Sequence, residues 1–319
     1  MAHLIETMAY VNEVPWHGLG NQLTAKQPIE VWAKQAGMAF EIKESPVRFM
    51  TESAGSLGAI MTFPEQKVLY RSDTKAALSV VSNRYQVVQP REILEFYRDL
   101  TEVSGFELET AGVLKDGRKV WALAKTNQSA TLKGNDVVNA YLLLATACDG
   151  SLATTAQFTS IRVVCNNTLA VALNNSSGAV KVPHNTNFDA QAVKRQLGIS
   201  VASWDAFMYR MKTLSERKVK SHEAMNYFLR VFTDPGNTAS GLTNERAMKK
   251  VQELYDGQGK GAELSSSKGT AFGLLNSVTE YVDHQKRART TDHRLESAWF
   301  GQGASLKQKA LDQALLMVA

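Results

Sequence analysis

Apolar and polar positions change period along this chain. Through roughly its middle third they alternate or form unbroken apolar runs, the pattern of strands; beyond it they recur every three to four residues, the pattern of helices. The stretch FELETAGVLKDGRKVWALAKTN holds two alternating runs flanking Lys115-Asp116-Gly117-Arg118, and its Asp-Gly predicts a hairpin turn. NDVVNAYLLLATACDG predicts a long strand ending in a second Asp-Gly at Asp149-Gly150, and SLATTAQFTSIRVVC predicts a third. NNTLAVALNN then reads as the start of a helix near Leu169, with Asn166, Asn167 or Thr168 satisfying its free N–H groups as caps.

The first forty residues read as an arm. VPWHGLGNQL sets turn residues around Trp16 and His17, and TAKQPIEVWAKQAGM predicts a short helix with Pro28 in its first turn and Gly37 at its end. Short strands and hairpins broken by Pro46, Gly58 and Pro64 follow, with SNRYQVVQP reading as the start of another strand. After Pro90, apolar residues at Ile93, Leu94, Phe96, Tyr97 and Leu100 predict an amphipathic helix closed by Gly105.

Beyond residue 176 helical spacing takes over. Trp204, Phe207 and Met211 share one face, Ser221 suits the N-cap of SHEAMNYFLRVF, and a helix is expected at about 243–255. GQGKGAELSSSKGT reads as a mobile basic surface loop, and the last fifty residues as two further helices. The expectation is therefore an α+β fold: an antiparallel hairpin-linked sheet with packed helices over residues 1–175, and a mainly helical, basic region over 176–319, whether as two domains or one.

Charge sharpens this division. Residues 1–150 hold 15 Lys/Arg against 17 Asp/Glu, whereas residues 151–319 hold 21 against 14. A basic C-terminal half, in a chain of net charge +5, points to a polyanionic partner such as nucleic acid. No apolar run approaches the roughly 18 residues of a membrane span, and no signal peptide is evident, so a cytoplasmic protein without membrane association is expected. The two cysteines, Cys148 and Cys165, lack metal-ligand spacing and read as buried free thiols.

No catalytic constellation stands out. GQGKGAELSSSKGT departs from the phosphate-loop spacing. His284 and His293 stand nine residues apart, on opposite faces if the segment is one helix, so neither a metal nor a cofactor is expected. Arg162 interrupts an apolar strand, where alternation sets it opposite Ile161 and Val163, free to reach a phosphate or stack on a base.

The motifs VPWHGLG, SNRYQVVQP, TSIRVVCNNTL and SVTEYVDH…AWFGQGASLKQKAL together resemble the phage/plasmid-like protein family built on domain of unknown function 932, nearly end to end. The resemblance implies a bacteriophage, prophage or plasmid origin, hence a bacterial host cell. The strand–hairpin–helix order on a basic chain is also similar to that of ATP-independent single-strand annealing proteins, a likeness at the level of fold. That analogy implies single-stranded DNA as partner and a homo-oligomeric ring or filament. Phosphate contacts would then come from Arg162, Lys115, Arg118 and Lys119 on the strands and from Lys194, Arg195, Arg217, Lys218 and Lys220 on the helices. Tyr85 or Trp121 would be the stacking platform. Two further readings stay open: an inhibitor that binds a host defence protein, and a metal-dependent nuclease.

Overall fold

The computed structural model describes residues 5–12, 20–52, 58–162, 164, 167–170, 179–198, 201–233, 245–289 and 291–319. It is an α+β protein, and its Cα atoms group into two compact units. The first comprises residues 1–125, 142–156 and 180–197; the second comprises 126–141, 157–179 and 198–319. The division thus follows no single cut near residue 175, because the chain passes back and forth along its central strands.

In the first unit, β1 (Ile5–Val11) pairs in parallel with β2 (Asn21–Leu23) and antiparallel with β6 (Glu107–Leu114). β6 pairs with β7 (Lys119–Thr131) through the hairpin that the first Asp-Gly predicts. Lys115, Asp116 and Gly117 form its tight turn at φ 54°, 59° and 102°, and glycine carries the widest of these angles without strain. β7 runs on into the second unit beyond Lys125, and β8 (Val137–Ala147) returns from it, its residues from Leu142 to Ala147 buried throughout, as in a strand covered on both faces.

A second sheet of this unit runs β3 (Ile42–Met50), β4 (Ile60–Arg71), β5 (Ala77–Ser82). SNRYQVVQP only begins in β5 and continues as a turn and coil to Pro90. Two helices cover the larger sheet. α1 (Ile29–Gln35) follows Pro28, and α2 (Pro90–Ser104) buries Ile93, Leu94, Phe96 and Tyr97. Each such side chain stabilises the unit by about 1.5–3 kcal/mol. The Tyr97 hydroxyl lies 2.9 Å from the Ala122 carbonyl and 3.0 Å from that of Leu142, donating into the sheet.

In the second unit, β9 (Thr154–Arg162) continues from its first-unit start and pairs with β10 (Asn167–Ala170). Here the sequence expectation is corrected. Asn167–Ala170 is a strand in register with Thr159–Arg162, so Asn167 and Thr168 cap no helix, and Asn166 lies outside the described residues. The alternation of TLAVAL fits a returning strand as well as a helix start, and hydrogen bonding to β9 decides for the strand. β11 (Ala179–Val182) and α3 (Ala190–Gly198) come next in the chain.

The helices of the second unit are α4 (Val201–Glu216), α5 (Ser221–Phe232), α6 (Glu245–Glu253), α7 (Ala271–Glu280), α8 (Thr291–Phe300) and α9 (Gln302–Leu315). The final segment thus folds as three helices, divided after the π-helical stretch Tyr281–Gln285 that continues α7 and again at Gly301, where two were expected. α7 is buried on nearly every side, its Ser277, Thr279 and Glu280 included. Thr270 is its N-cap, accepting from the Gly273 N–H at 3.1 Å. Gly273 permits close approach, since a Cβ there would sit 2.1 Å from the Ser267 carbonyl oxygen. The segment expected to be a mobile loop is instead anchored. Ser266 and Ser267 are buried, the Ser266 hydroxyl donates to Asp136 at 2.5 Å, and Glu280 accepts the Lys260 N–H at 2.9 Å.

Candidate nucleic-acid interface

Only part of the predicted cationic set is available at a surface. In the first unit, Lys119 and Trp121 are each 3% exposed, so burial removes both as surface contacts for phosphate or base. Lys115 is half-buried, and it and Lys119 act on Asp149. Burial raises the Asp149 carboxyl, but hydrogen bonds from Ser151 and these two cations outweigh it and leave the carboxyl below its ordinary value. Tyr85 stacks on His184 at 4.4 Å and 18°, and its hydroxyl donates to the Ala147 carbonyl at 2.6 Å. Burial pushes that hydroxyl above its ordinary value. Its ring is therefore a clasp within the unit, with one face already covered. Lys194 lies 5.1 Å over the Phe96 ring. Arg118 and Arg195 are exposed.

The second unit presents a different surface. α4 forms because Trp204, Phe207, Met208, Met211 and Leu214 recur at helical spacing and all are buried. The opposite side carries Tyr209, 72% exposed and the most exposed large hydrophobic residue among those described, followed by exposed Arg210 and Lys212. No described carboxylate pairs with either cation. The helix ends at Glu216, and residues 217–219 run extended, pinned to the start of α7. There Lys218 bridges Thr270, Val219 N–H donates to Gly269 at 3.0 Å, and Ala271 N–H donates to Arg217 at 2.9 Å.

This pinning fixes the remaining predicted cations. Arg217 is spent internally: its Nη2 donates to Glu223 Oε1 at 2.5 Å and its Nε to the Met317 carbonyl at 3.1 Å. Glu223 Oε2 also accepts the Lys220 N–H at 2.8 Å, so Lys220, not Ser221, holds the cap position of α5. That N–H, then Arg217, holds the Glu223 carboxyl below its ordinary value. Lys218 and Lys220 are left exposed beyond the helix end, the Lys218 ammonium donating to the Lys268 carbonyl at 3.2 Å. From Asp205 to Lys220 the surface thus carries Arg210, Lys212, Lys218 and Lys220 outward against the carboxylates of Asp205 and Glu216.

Sequence reading missed Tyr209, Arg210 and Lys212. The available signal was the complement of the apolar stripe, a large aromatic on the side that the spacing of Trp204, Phe207 and Met211 sends to solvent. Arg162 belongs to β9, and its side chain, like Cys165, Trp16 and His17, lies outside the described residues. Charge follows the same division. The first unit holds 17 Lys/Arg and 17 Asp/Glu, and the second 19 against 14, so the second accounts for the whole excess.

Among the described residues no cluster of three or more His, Cys, Asp or Glu could hold a metal ion, and no helix is long and apolar enough to cross a membrane. Fold and surface define an α+β protein whose basic unit exposes an aromatic ring on α4, with Asp205, Lys212 and Glu216 on the same side of the helix. The family model described as Domain of unknown function (DUF932) matches residues 77–299, more than two thirds of the chain, and the protein belongs to that family. No curated protein and no solved structure matches it.

Proposed function

We propose that the protein binds single-stranded nucleic acid, as a strand-binding or annealing factor of a phage or plasmid acting in the bacterial cytoplasm as a homo-oligomer. One observation carries this reading: the exposed Tyr209 ring beside Arg210 and Lys212, with Lys218 and Lys220 beyond the helix end. An exposed ring offers a π-face to an unstacked base, and unpaired cations on the same helix supply phosphate contacts. A duplex keeps its bases stacked on one another and leaves such a ring unused. The reading needs neither nucleotide nor metal.

The test is fluorescence anisotropy of purified protein with labelled single- and double-stranded oligonucleotides across a salt series. Micromolar or tighter single-strand binding that falls steeply with salt is expected. Absence of binding at low salt overturns the proposal and turns attention to host proteins as targets.

A further inference from the structure

The first unit contains a cavity of about 280 Å³ where α1 and α2 meet the ends of β1 and β6. We propose that it is a binding site for a neutral nitrogen heterocycle of the nucleoside class. This is independent of the nucleic-acid reading, which concerns the other unit.

The floor is aromatic and aliphatic. Trp32, Leu94 and Tyr97 line it, and each is at most 3% exposed. The Tyr97 hydroxyl is committed to the Ala122 and Leu142 carbonyls, so only its ring is left for a ligand. Trp32, from α1, adds a second ring to that floor. An apolar floor with few polar groups is the usual composition of a small-molecule site, and this volume suits a ligand of one or two rings.

The mouth is mixed in charge. Lys26 and Arg98 stand there together with Glu30, Glu107 and Glu109. An anion entering between them meets three carboxylates, and a cation also meets an ammonium and a guanidinium. A neutral ring with donors and acceptors on its edge meets a partner for each. The amides of Asn12 and Gln27 complete that set. The Gln27 amide N–H donates to the Thr24 hydroxyl, which leaves its oxygen as an acceptor.

Asn12 and Lys26 adopt φ of 69° and 61°, and both line this cavity. Asparagine tolerates the left-handed region, and Lys26 takes it in the turn at residues 25–26, as Lys75 and Lys115 do elsewhere in the chain.

The experiment is isothermal titration of the full chain with adenosine, guanosine, cytidine and uridine, and with their 5′-monophosphates. At least one nucleoside should bind one-to-one with Kd below about 1 mM, its monophosphate at least about ten-fold more weakly because of the mouth carboxylates. Ala25→Trp, which places a large side chain at the mouth, should abolish that binding, and Gln27→Ala should weaken it several-fold. Arg210→Ala/Lys212→Ala should leave it unchanged, which separates this site from the nucleic-acid surface. No nucleoside binding, a monophosphate that binds as well as its nucleoside, or a folded Ala25→Trp protein with undiminished affinity would each overturn the proposal. Should Ala25→Trp fail to fold, unchanged affinity in Gln27→Ala overturns it.

Discussion

The Lys307 ammonium lies 2.8 Å from Asp283 Oδ1 within the second unit, with both residues less than a tenth exposed. Thr168 completes the arrangement. Its N–H and hydroxyl donate to Asp283 Oδ2 at 2.7 and 3.1 Å, while its hydroxyl and carbonyl oxygens accept from Lys307 at 2.7 and 2.8 Å. All three ammonium protons and both carboxylate oxygens are thereby used, which a buried ion pair requires. The pair fastens β10 to α9 and to the π-helical stretch that continues α7.

Removing one partner leaves an uncompensated buried charge. Asp283→Asn or Lys307→Met should therefore destabilise by about 3–5 kcal/mol. The double variant Asp283→Asn/Lys307→Met should cost less than the sum of the two single changes. Urea unfolding measures both, and full additivity in the double variant would show that the pair is not coupled.

Arg71 gives a pH dependence of defined sign. Its Nε and Nη2 donate to the two oxygens of Asp73 at 2.9 and 2.7 Å, and this hydrogen bonding is the chief cause that holds the Asp73 carboxyl at about 2. A carboxylate depressed on folding stabilises above its unfolded value of about 3.9 and loses that contribution as pH falls through the folded value. Asp73→Asn should be less stable than the parent at neutral pH, with the gap closing as pH is lowered towards 2. Because Asp73 is half-exposed the gap will be modest, and a constant difference across the acid range would contradict the assignment.

Burial, reinforced by the nearby Asp149, pushes the Cys148 thiol up to about 12. At pH 8 it is therefore protonated, and it is also only 4% exposed. In a Cys165→Ser background the folded protein should not react with a thiol-specific disulfide reagent, and one equivalent should react in denaturant. Rapid labelling of the folded protein would refute this.

Thr270→Ala removes the side-chain oxygen that accepts the Gly273 N–H at the start of the buried helix α7. A loss of about 1 kcal/mol is expected, measured by thermal or urea unfolding, with Thr270→Ser close to the parent.

On the proposed nucleic-acid face, Tyr209→Ala should weaken single-strand binding by about 1–3 kcal/mol with little change in salt slope. Lys218→Ala/Lys220→Ala should instead flatten the slope by about 1 per lysine that touches phosphate. Equal effects of both changes on the slope would argue against a stacking role for Tyr209.

By itself the sequence determined the elements whose cues are local. The Asp-Gly hairpin between β6 and β7, the apolar run of β8, the amphipathic face of α2 and the stripe of α4 all follow from turn chemistry and periodicity within a few residues. It also determined that positive charge gathers in the later part of the chain. Only the tertiary structure decided the rest, because burial and pairing depend on residues far apart in the chain. NTLA is a strand because β9 lies beside it. Lys119 and Trp121 are core positions because the sheet is covered there. Asp283 pairs with Lys307 across 24 positions and meets Thr168 across 115. The exposed Tyr209 became a candidate for function once its neighbours on α4 were known to be buried. A charge or an aromatic ring in a sequence has no fixed surroundings, and whether it binds a partner or holds the protein together is set by what the fold brings against it.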